Sequence, residues 1–117
     1  MNKYQDQYAK ICEKALKYRD EAERHFDSLM KEIISARKTK DIARLEMHNS
    51  NVKSTFDSLK NNVISIQISN NKNLEHIDED ELELVLKGAE NTLSTIAHQN
   101  AALKGAIGIT NYIPSRT

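Results

Sequence analysis

Apolar residues recur at steps of three and four along most of this chain, and almost nothing interrupts them, which points to long helices before anything else is considered. Across 117 residues there are 3 glycines and 1 proline. Tyr4, Tyr8, Ile11, Ala15, Tyr18, Ala22, Phe26, Leu29 and Ile33 fall on one face of a helical projection, and Leu16, Met30 and Ile34 widen it. On the opposite face Glu13 precedes Lys17 and Asp20 precedes Arg24 by one helical turn, the favourable order for a solvated surface. The spacing predicts an amphipathic helix over residues 3–37.

The first stripe does not run in phase into the second. After Ile33 it would continue through Ala36 and Lys40, whereas the apolar series restarts at Ile42 and Leu45. A break over residues 37–41 follows. Arg37, Lys38 and Lys40 suit the negative end of the first helix dipole, and Thr39 can cap a second helix with Asp41 in its first turn. No glycine or proline enforces the break, so one continuous bent helix is the competing reading. The second stripe, Ile42, Leu45, Asn49, Val52, Phe56, Leu59, Val63 and Ile66, is a heptad pattern over residues 40–68 with a polar residue inside it. Ile64 to Ile68 also alternates with period two, as a short strand would; helix is retained there.

Ser69, Asn70, Asn71, Lys72 and Asn73 form a polar, helix-poor cluster expected of a connecting loop. Asp78 followed by Glu81 has the form of a capping box, and Glu79, Asp80 and Glu83 place negative charge at the positive end of a helix dipole. A third helix over residues 78–105 carries Leu82, Val85, Leu86, Ala89, Leu93, Ile96, Asn100 and Leu103, and ends as Gly105 and Gly108 arrive. Ile109 to Thr117 contains Pro114 and reads as an extended tail whose Ile109, Tyr112 and Ile113 dock on a neighbour. The expected organisation is one domain, residues 1–108, with a C-terminal tail, residues 109–117. The fold class is all-α, an elongated antiparallel bundle of about three long helices with coiled-coil-like packing.

Lys plus Arg equals Asp plus Glu at 17 each, so the chain as a whole has no general attraction for nucleic acid or anionic membrane. Arg37, Lys38, Lys40 and Arg44 are the one concentration of positive charge. No aromatic residue interleaves them, and a solvated junction between helices is preferred to a nucleic-acid site. Met1 to Lys10 has no apolar signal core and no run is long enough to span a membrane. The single cysteine, Cys12, fits a reducing compartment, so a cytoplasmic location is expected.

Signals for chemistry are weak. His25, His48, His76 and His98 stand singly, with no pair at helical spacing for a metal. Cys12 lies beside the apolar stripe as a small buried hydrophobe would, without a base in its own turn. The acids Asp78 to Glu83 lack the spacing of a calcium loop. There is no Gly-rich phosphate loop or nucleophile elbow. No catalytic residue, metal or cofactor is expected.

Signals for association are stronger. Asn49 and Asn100 fall where apolar residues are due, as register-setting residues of coiled coils do, or else at a wetted rim. Tyr4, Tyr8 and Tyr18 share one face, as interface anchors or as ordinary core. The many Ala, Asn and Ser make the stripes thin for three rods of roughly 40–50 Å. A homodimer is therefore expected, with Val52, Phe56, Leu59 and Val63 in its interface. The leading function is a small non-enzymatic interaction protein, an adaptor, chaperone or assembly factor that binds another protein. A phage or mobile-element inhibitor is the alternative, and a helical nucleic-acid binder the weaker one.

Overall fold

The computed structural model describes residues 3–71 and 77–116. Helices form where the apolar stripes require them: α1 is Lys3–Ala36, α2 is Ile42–Asn71 and α3 is Glu79–Ala106. Each packs against the other two. The result is an up-down-up rod of 64 × 18 × 17 Å. Its main core joins Tyr8, Ile11, Ala15, Ala22 and Leu29 of α1 to Val52, Phe56, Leu59, Val63 and Ile66 of α2 and to Leu86, Ala89, Ile96 and Leu103 of α3.

Three helices of one chain cover most of their own stripes, although Ile34 and Ile42 stay exposed. Ala15 and Ala22 are fully buried and Ala89 nearly so. Small residues at these points let the helices approach closely, so a thin stripe closes a thin core. Where the stripes carry bulk, rings fill the space: Phe26 of α1 and Phe56 of α2 stack with centroids 4.5 Å apart.

The break between α1 and α2 is real, and the two are not one bent helix. Arg37 to Lys40 form a turn in which the Lys40 amide donates to the Ala36 carbonyl at 2.8 Å. The cap of α2 is Asp41 rather than Thr39: the Asp41 carboxylate accepts the Arg44 amide at 3.2 Å. Thr39 is occupied otherwise, because its carbonyl accepts the Arg116 amide at 2.9 Å. At the other end, Ile64 to Ile68 are helical. α2 continues to Asn71, so Ser69 to Asn71 belong to the helix and not to a loop; Lys72 and Asn73 lie outside the described residues. Asp78 caps α3 as expected, its carboxylate accepting the Glu81 amide at 2.9 Å.

The segment after α3 is folded, not extended. Gly108, at φ 91°, turns the chain into a 3₁₀ turn, Ile109–Tyr112. The Glu32 carboxylate accepts the Gly108 amide through both oxygens at 3.0 Å. Ile113 then enters a second apolar cluster with Ile33, Ala36 and Leu45. Asp41 donates its amide to the Pro114 carbonyl at 2.8 Å, and Ser115 bridges Lys40. Thus Ile113 docks on its own chain, whereas Ile109 and Tyr112 are exposed.

Candidate interaction surface

The residues singled out by the stripes divide by depth. Tyr8 is core: its ring is buried and its hydroxyl donates to the Ile66 carbonyl at 3.0 Å. Tyr4 and Tyr18 are half-buried and pack at the edge of the same core. Val52, Phe56, Leu59 and Val63 are all buried within the chain. In the single chain they are enclosed by α1 and α3, so a second chain would reach this seam only by displacing one of those helices.

Asn100 is buried on α3 and donates through Nδ2 to Glu21 Oε2 of α1 at 2.9 Å. It pairs helices of one chain. Asn49 is half-buried on α2, and neither its Oδ1 nor that of Asn100 has a hydrogen-bond partner among the described residues. Cys12 is a free, half-buried thiol whose pKa is raised by burial, which keeps it protonated and poorly nucleophilic at neutral pH. His25, His48 and His98 stand on different helices or faces, and His76 lies outside the described residues. Among the described residues no group of His, Cys, Asp or Glu could hold a metal ion, and no helix is long and apolar enough to cross a membrane.

The basic residues are brought together at one end of the rod. Arg37, Lys38 and Arg44 are exposed and Lys40 is half-buried around the α1–α2 turn. The returning tail adds Arg116, which donates to the carbonyls of Arg37 and Lys40. Nothing local in the sequence marked Arg116 as their neighbour, because the tail meets the turn only through tertiary contacts across some 70 residues or more.

A second surface also escaped the stripe analysis. Between Met47 and Ser69 the charged residues of α2 are Lys53, Asp57 and Lys60, which share one flank. Lys60 reaches over the Phe56 ring at 4.6 Å on the side of α1. The other flank carries Asn51, Thr55, Ser58 and Asn62 and faces α3. Asn62 Nδ2 donates to Gln99 Oε1 at 3.1 Å, and Gln99 Nε2 donates to Ser58 Oγ at 2.8 Å. From Gly88 to Leu103 the one charged residue of α3 is Glu90, also away from this flank. The two helices therefore present an uncharged face of hydroxyls, amides and small side chains. Along it runs a shallow groove lined by Ser54, Thr55, Ser58, Thr95, His98 and Gln99. Offsets of 4, 7 and 11 residues from Asn51 would have revealed this flank in the sequence.

The fold defines the chain as an elongated antiparallel three-helix bundle. Comparison with protein-family models, curated proteins and solved structures finds no match.

Proposed function

We propose that the chain is a non-enzymatic protein-binding module, an adaptor or assembly factor of the cytoplasm, that engages its partner through the uncharged α2–α3 face. One observation carries this reading: a flank free of Asp, Glu, Lys and Arg extends along two helices of a chain whose third helix, α1, is densely charged. Burying a charge in an interface is costly, so the centres of interfaces are depleted of charge. Ser, Thr, Asn and Gln instead exchange water for partner hydrogen bonds at little net cost. The half-buried thiol of Cys12 accords with a reducing compartment.

The test is a face-specific variant. Ser58→Lys combined with Thr95→Lys places charge on the exposed centre of the face, and Glu13→Lys with Glu23→Lys does so on the exposed side of α1. Both variants should keep the wild-type circular dichroism spectrum and unfolding midpoint. The first should lose at least tenfold of the proteins that wild type retains from an extract of the source cells, and the second should retain them. An unchanged set of bound proteins on the Ser58 and Thr95 variant would sink the proposal.

A further inference from the structure

We propose that the occupant of this face is a second copy of the same chain, laid antiparallel about a two-fold axis and held in register by the opposite charges of the two ends. The inference rests on the reading of the α2–α3 face as a binding surface, and adds which partner covers it.

The rod is electrically polar although its net charge is zero. At one end stand Arg37, Lys38, Lys40, Arg44 and Arg116. At the other, 64 Å being the length of the molecule, stand Asp78, Glu79, Asp80, Glu81 and Glu83. Among the described residues none of these ten side chains is in an ion pair; the pairs formed are Arg19 with Asp20 and Lys60 with Asp57. The acids near the basic end, Glu32, Asp41 and Glu46, keep their charge and are outnumbered by its five cations. Each end thus keeps its field for something outside the chain.

Both charged ends continue onto the uncharged flank. Arg44 precedes Asn51, Thr55, Ser58 and Asn62 at offsets of 7, 11, 14 and 18, and Glu81 precedes Gly88, Thr92, Thr95 and Gln99 at the same offsets. These offsets lie on one side of a helix. Because α2 and α3 run in opposite directions, Arg44 and Glu81 mark opposite ends of one face. A two-fold axis across the middle of that face brings each basic end to the partner's acidic end, both at once. A parallel arrangement would bring like ends together. End-to-end stacking would leave the face uncovered and would not close.

The area is adequate. The 28 residues of α3 extend about 42 Å, and two helices about 10 Å apart present a strip about 20 Å wide, hence about 800 Å² per copy. That matches the roughly 800 Å² per partner of a standard stable interface. Small residues at Gly88, Ala102 and Ser65 let opposing helices approach, and zero net charge removes the general repulsion between copies.

Sedimentation equilibrium of the full chain at tens of micromolar should give the mass of two chains, with dissociation at least tenfold greater at high salt than at low salt, where screening is weak. Two variants test the charge pairing: Lys38→Glu, Lys40→Glu, Arg44→Glu in one, and Glu79→Lys, Asp80→Lys, Glu81→Lys in the other. Each alone should weaken dimerisation at least tenfold, and mixing them should restore a two-chain species. If either fails to fold by circular dichroism, Ser58→Cys in a Cys12→Ser background decides. Near the axis it should form a disulfide with its own counterpart under mild oxidation, which end-to-end stacking would not allow, whereas Lys38→Cys at the exposed end of the rod should not, as it would in a parallel pair. A monomer at low salt, a ladder of masses beyond two, or no recovery on mixing folded variants would overturn the proposal, as would a monomer that binds duplex DNA at its basic end. A monomer whose extract partners still depend on Ser58 and Thr95 would remove the second copy and leave the binding module. Loss of both dependences would remove both.

Discussion

Burial gives Tyr8 and Cys12 a common pH dependence. Each is pushed above its ordinary pKa, 10.0 for the phenol and 9.0 for the thiol, chiefly because desolvation disfavours the charged form. The unfolded chain releases these protons nearer the ordinary values, so above them it holds fewer protons than the folded chain. Stability is then complete below about pH 9 and falls as pH rises through the alkaline range. Denaturant unfolding from pH 7 to 11 checks this, and a flat midpoint would contradict it. Tyr8→Phe should remove the high-pH part of the fall. The same change deletes the hydrogen bond to Ile66 and should cost about 1 kcal/mol at pH 7.

The last segment shows how an element is decided by its contacts. Gly108 sits in the left-handed region, where an added Cβ meets only the Asn111 Nδ2 at 3.9 Å, an ordinary contact, yet the backbone conformation itself is strained for any other residue. Gly108→Ala should cost about 1–2 kcal/mol from that strain. Ile113, 8% exposed, is the tail's anchor in the second apolar cluster, and Ile113→Ala should cost about 2 kcal/mol, the low end for a core truncation because the site is at an edge. Urea midpoints measure both. An unchanged midpoint for Ile113→Ala would show that the tail contributes nothing to the bundle. The cap of α2 belongs to the same scale: Thr39 and Asp41 are both good capping residues, and the tail's use of the Thr39 carbonyl goes with the cap at Asp41.

Along the whole molecule, the distribution of charge matters more than its sum. A basic end of five cations releases few counterions on a phosphate backbone, so duplex DNA should bind more weakly than micromolar at physiological salt. Fluorescence anisotropy with a labelled duplex tests this; sub-micromolar affinity under those conditions would assign the basic end to nucleic acid. Lys38→Glu with Lys40→Glu should leave the fold intact, since both lie on the turn outside the core.

The three helices were legible in the sequence because burial of an amphipathic face depends on local spacing, and the stripes from Tyr4, Ile42 and Leu82 carry that spacing directly. Asp78 as a cap was legible for the same reason, since its partner Glu81 is three residues away. The capacity of the stripes to close a core within one chain was not, because it depends on how near Ala15, Ala22 and Ala89 let neighbouring helices come. Nor was the composition of the basic end, where Arg116 joins Arg37 and Lys40 across 76 residues or more. Periodicity determined which residues face inward; tertiary packing decided which surfaces were left to face a partner, because a face becomes free only once the other elements have taken their places.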